Sequence, residues 1–172
     1  MVETSSVAKW FLYVGVFNAL FAVFITIPMI IPDNTASEDI LRIAFAVANF
    51  PGLYIIMGYL GFLVVGVAGS VAWGAAYYIL GSAAGKNQTS KGLAMTHLLL
   101  ATIGIYGAAT LFFVGGYTGG YARLTGVVKT VEDAMALITW TVMPRMLSIA
   151  LAIIGNLIGV INVFKTARSK AA

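Results

Sequence analysis

Apolar residues fall into four long runs separated by short polar stretches. Residues 10–31 carry 22 positions without a charge, 52–80 carry 29, and the runs at 93–116 and 144–164 are of similar character. A helix rises 1.5 Å per residue, so about 20 apolar residues cross the ~30 Å hydrocarbon core of a bilayer. Each run is long enough, and the pattern predicts an all-α polytopic membrane protein of four transmembrane helices, forming a single domain over 1–172. The second run exceeds the bilayer thickness and predicts a tilted or projecting span.

The connectors have patterns of their own. Pro28 and Pro32 mark the end of the first span. In "PDNTASEDILRIAFAVANFPG", Thr35 and Glu38 fit a capping box, with Asp39 also in the first turn. Ile40, Ile43, Ala44, Val47 and Phe50 then recur at helical spacing, predicting a short amphipathic helix over 37–49 at the interface. Pro51 starts the second span, and the polar "GSAAGKNQTSKG", 81–92, reads as a turn. The third span is expected to end in a glycine-rich loop, "GGYTGGYARLTG". A second short connector helix is expected over 130–141, with Glu132 and Asp133 in its first turn. Pro144 then opens or kinks the fourth span.

With four spans, both termini and the 81–92 turn lie on one side. That side holds Lys9, Lys86, Lys91, Lys165, Arg168 and Lys170, whereas Arg42, Arg123, Lys129 and Arg145 belong to the other. Basic residues favour the cytoplasmic face, so both termini are expected there and both connector helices on the outer side. The expected location is a prokaryotic plasma membrane. No cleaved signal peptide is expected, because "MVETSSVAKW" lacks a positive start and the first apolar run is too long for a leader.

Composition agrees with this reading. The chain is 60% hydrophobic and 9% charged, where soluble domains average about 25% charged. Its net charge of +4 lies in short membrane-flanking clusters and does not suggest nucleic acid. There is no cysteine, which removes disulfides, iron–sulfur clusters and thiolate metal sites.

Helices in lipid associate through small residues that let backbones approach. Gly66, Ser70 and Gly74 form such a row on the second span, beside Ala68, Ala72 and Ala76. The third span offers Gly104 and Gly107. The fourth carries "GNLIG", a G-x-x-x-G of Gly155 and Gly159. These residues predict packing within the bundle, with docking to an external helix as the alternative. Trp10 and Trp140 read as interfacial anchors, with Trp73 lying deeper. Arg145 is expected to snorkel to the outer boundary, compatible with an ion pair to Glu132 or Asp133.

Candidate chemistry is sparse. The polar residues within spans are Asn18, Ser70, Thr96, His97, Thr102, Thr110 and Asn156, with tyrosines 59, 77, 78 and 106. No carboxylate, lysine or arginine is expected clearly at membrane depth, whereas proton-coupled carriers use chains of ionisable groups there. His97 is the single histidine and stands ~8 Å inside the third span by its rise per residue. A boundary hydrogen bond to water, a lipid phosphate or a neighbouring helix accounts for it. Alternatively it binds haem b, or contributes one ligand to a site shared with another subunit. Met57 or Met95 would be candidate second axial ligands, although Met95 points to a different face of the same helix. No intrinsic cofactor is expected; bound lipid is.

The stretch "GYLGFLVVGVAGSVAWGAAYYILG", 58–81, carries Gly69, Gly74, Tyr77 and Tyr78 in an order that resembles helices of haem–copper oxidase and nitric oxide reductase main subunits. "LAMTHLLLATIGIYG" has a similar character. Those subunits hold haem and copper with several histidines, and this chain has one. The resemblance therefore implies a non-catalytic accessory subunit of an archaeal or bacterial terminal oxidase, packing with other integral membrane subunits of a respiratory complex. The alternatives are a haem b- or quinone-binding electron carrier using His97, and a small-solute channel or carrier lined by Asn18 and Asn156.

Overall fold

The structure, a computed structural model, describes residues 4–30, 35–45, 50–80 and 90–168. The capping side chains of Thr35 and Glu38, residues 46–49 and most of the 81–92 turn lie outside the described residues.

Four helices are long and apolar enough to cross a membrane, over Val7–Ile27, Tyr54–Tyr78, Lys91–Leu124 and Thr139–Arg168. The chain is an all-α polytopic membrane protein. Hydrocarbon offers no hydrogen bonds, so a lipid-exposed backbone must satisfy itself, and a helix does so within each segment. Helix α1 is Thr4–Ile30 and α2 is Thr35–Phe45. The second span is built from α3, Tyr54–Gly61, a π-helical segment, Phe62–Ala68, and α4, Gly69–Tyr78. The third is α5, Lys91–Leu124. A short α6, Val131–Leu137, and a 3-10 turn, Thr139–Thr141, lead into α7, Val142–Arg168.

Helix α5 is the organising element. It packs against α3 on one side and along α7 on the other, while α1 lies mainly against α4 and the π segment. Near the termini, side chains of all four spans meet around Phe11, Trp73, Tyr77 and His97. The second and fourth spans pack on different parts of α5 and leave a cleft between them.

The expected glycine-rich loop after residue 116 is helix. Helix α5 runs unbroken to Leu124, 34 residues or ~51 Å, and overshoots a bilayer. A helical glycine costs about 1 kcal/mol relative to alanine, and here close packing offsets that cost. A Cβ at Gly116 would lie 2.6 Å from the Ile55 backbone nitrogen, and one at Gly120 would lie 2.5 Å from Ile43. On the neighbouring stripe, Gly119 faces Pro51 and Ala134, and Gly115 faces Thr141. The "GGYTGG" stretch is thus a docking surface for both connectors. Along the same part of α5, Phe113, Tyr117 and Tyr121 form a row stacked at centroid distances of 6.5 and 5.8 Å.

Both connector helices are present. The first is described from Thr35 to Phe45 and is held by the protein as well as by any interface: Ile43 and Ala44 are buried with Ile55, against Phe113 and Leu124. The second starts at Thr130, whose hydroxyl accepts from the Asp133 amide at 3.1 Å and donates to its carboxylate at 2.8 Å. Glu132 and Asp133 occupy its first turn as expected.

Candidate functional site

His97 lies at the junction of the four spans, fully buried. Its α5 position sets it opposite Gly159 of α7, and any side chain there would overlap the imidazole. Trp73 meets the ring edge-on at 4.4 Å between centroids, and Phe11 of α1 lies at 4.8 Å. The Tyr77 hydroxyl and Nδ1 form a hydrogen bond of 3.1 Å. Nε2 has no partner among the described residues. Of the expected partners, the neighbouring helix is the one found: Tyr77 of the second span bonds Nδ1, and Phe11, Trp73 and Tyr77 close over the ring from the sides, so it does not face water or lipid.

This packing bears on the alternative reading of His97 as a haem ligand. A porphyrin lying against His97 would have to displace the Trp73 and Phe11 rings or push α7 away at Gly159. The residues present do not fit a haem. Among the described residues no three histidine or carboxylate side chains form a metal-holding group.

Other polar side chains also tie span to span. The Asn18 amide donates to the Gly66 carbonyl at 2.7 Å, and its oxygen accepts from the Tyr106 hydroxyl. That carbonyl lies in the π-helical segment, where the Gly69 amide bonds back to Val64 and not to the usual α-helical acceptor. Thr26 of α1 meets the Tyr59 hydroxyl. The Trp73 indole donates to Asn156 at 2.7 Å and bridges the second and fourth spans. Asn162 donates to the Ser90 carbonyl at 3.2 Å, tying α7 to the start of α5. Asn162 was not singled out from the sequence, since a lone polar residue does not reveal its partner, whereas Tyr106 was among the candidates.

The predicted packing residues are in place. Gly104 meets the α7 backbone at Ser148 and Ala152, and Gly107 lies against the Ser148 side chain. A Cβ at Gly155 would stand 2.6 Å from the Ala101 nitrogen of α5. Gly74 receives Leu12 and Ala8 of α1, while Gly15 of α1 answers at Ser70 and Val71. Gly66 faces Phe62 and Ile105. The G-x-x-x-G of α7 is occupied within the chain itself.

Trp10 and Trp140 face outwards, 52% and 58% exposed, as anchors should. Arg145 does not: it is 8% exposed. Its guanidinium lies 4.5 Å from the Tyr54 ring centre and 4.6 Å from that of Phe112. The expected snorkelling is corrected, because two aromatic faces offer the cation a site within the bundle. The compatible ion pair with Glu132 or Asp133 is not formed; the Asp133 carboxylate accepts from Thr130.

The cleft between the second and fourth spans has a volume of about 430 Å³. Gly104, Ala108 and Phe112 of α5 form its floor; Gly61 and Ile149 stand on opposite walls. Asn156 is the one polar residue lining it.

Compared with known protein families, characterised proteins and solved structures, the chain matches none. Fold and site together define a polytopic helical membrane protein whose intramembrane polar groups act as internal ties.

Proposed function

We propose that the chain is a non-catalytic accessory subunit of a larger membrane oxidoreductase of the respiratory type, packed against the metal-bearing subunit. One observation carries this reading: Asn18, Trp73, Tyr77, Tyr106 and Asn156 all hold one span to another. Such an arrangement makes a rigid body with an apolar exterior, suited to supporting a neighbour in the membrane. The outward face of α1 supplies a surface for it, since Trp10, Tyr13, Phe17 and Phe24 are 52–72% exposed. Both termini are assigned to the cytoplasmic side of a prokaryotic plasma membrane by the lysine and arginine distribution. The resemblance of residues 58–81 to oxidase helices gives the type of host complex.

Purification from native membranes in mild detergent tests the reading. The chain is expected to migrate with larger subunits that contain redox metal. Migration alone, with no metal-containing partner, would overturn the proposal and favour an electron carrier or a solute channel.

A further inference from the structure

The α7 stripe Ile149, Ala152, Asn156 and Val160 forms one wall of the cleft between the second and fourth spans. Arg145 stands one turn before Ile149 on the same stripe, at the connector end of the cleft. It touches the cleft through Phe112, which lines the floor and carries the guanidinium on its face. The side chain is more than nine-tenths buried, its Nη1 has no hydrogen-bond partner, and no described carboxylate pairs with it. A buried cation with no counter-charge among the described residues is costly, and aromatic faces offset only part of that cost. Arg145 also stands in the first turn of α7, where the helix dipole is positive. Positive potential is thus concentrated at one end of an apolar cleft that opens sideways.

We propose that this cleft binds an anionic phospholipid, with the phosphate on the Arg145 guanidinium and an acyl chain along Phe112, Ile149 and Gly61 towards Asn156. Guanidinium and phosphate match as a two-pronged, charge-assisted pair, and basic pockets between transmembrane helices are recognised sites for acidic headgroups. The cleft volume of about 430 Å³ falls within the usual range of ligand sites. Charge complementarity selects an anionic lipid over a partner's apolar helix, which would bring no negative charge to Arg145. The proposal stands independently of any host complex.

Native mass spectrometry of the delipidated full chain tests it, using phosphatidylglycerol, diacylglycerol and inorganic phosphate as separate probes. Phosphatidylglycerol is expected to bind and diacylglycerol to bind at least tenfold more weakly, since a hydrogen bond to a charged group is worth about 1.5–3 kcal/mol. Arg145→Gln should weaken phosphatidylglycerol by about the same factor. Gly61→Leu is the second variant: a Cβ there meets nothing within 4 Å, so the added side chain fills the cleft without displacing a helix. It should reduce binding of the lipid while Arg145 remains intact. Equal binding of phosphatidylglycerol and diacylglycerol would overturn the proposal. So would unchanged phosphatidylglycerol binding in both variants, or inorganic phosphate displacing the lipid completely. A photocrosslinker at position 61 in native membranes should capture lipid; capture of a protein helix in its place would also overturn it.

Discussion

Gly159 faces the imidazole of His97 across the α5–α7 interface, with no space between them for a methyl group. The one histidine of the chain and the second glycine of its G-x-x-x-G are thus two halves of a single contact. Gly159→Ala should destabilise the folded protein by about 1–3 kcal/mol, the usual cost of overpacking. His97→Ala should also destabilise, by removing the hydrogen bond between the Tyr77 hydroxyl and Nδ1 and opening a cavity among three aromatic rings. In the double variant the clash is gone, so its cost should fall short of the sum by about 0.5–3 kcal/mol. Thermal unfolding in detergent micelles gives all three values; strict additivity would mean that the two residues are not in contact.

Glycines on different faces should respond oppositely to alanine. Gly104 lies against the α7 backbone at Ala152, and a Cβ there forces the two helices apart. Gly61 has open space around it. Gly104→Ala is expected to cost more than about 1 kcal/mol, and Gly61→Ala to be neutral or stabilising by up to about 1 kcal/mol through helix propensity. The same unfolding assay checks the ranking, and equal effects would remove the distinction between the two faces.

Asn18 bonds both the Gly66 carbonyl and the Tyr106 hydroxyl, joining α1 to the π segment and to α5. Interhelical hydrogen bonds in membranes are worth about 0.6–2 kcal/mol. Asn18→Leu should therefore cost about 1–3 kcal/mol, and Tyr106→Phe less. Tyr106→Phe should have little further effect once Asn18 is replaced. A full additional loss in the double variant would show that Tyr106 bonds elsewhere.

The glycine-rich end of α5 is a helix that holds the connectors. Amide hydrogen exchange should be slow through residues 113–122, where a loop would exchange quickly. Gly120→Leu would collide with Ile43 and Gly52. It should speed exchange in α2 while leaving α5 protected. Rapid exchange at 113–122 in the unmodified chain would contradict the helix.

The four spans and both connector helices were legible in the sequence because apolar run length and 3.6-residue periodicity follow directly from the bilayer and the helix. The end of α5 was not. "GGYTGG" has the composition of a loop in water, whereas beside Ile43, Pro51 and Ile55 the same glycines are sites of close approach. His97 and Arg145 illustrate a second limit. Depth along a helix can be counted from the sequence, but what lies to the side cannot. The aromatic residues that enclose His97 come from positions 11, 73 and 77, and those that hold Arg145 from 54 and 112. The α5–α7 glycines were identifiable as packing residues from their spacing, yet spacing alone left open whether the partner helix was internal or foreign.

The most direct test of the central claim, that His97 holds the bundle together and the chain supports a redox partner without carrying a centre of its own, is the optical spectrum of the purified chain and of its His97→Ala variant. No Soret band is expected from either, with the variant differing only in thermal stability. A Soret band in the unmodified chain that disappears in His97→Ala would contradict the account.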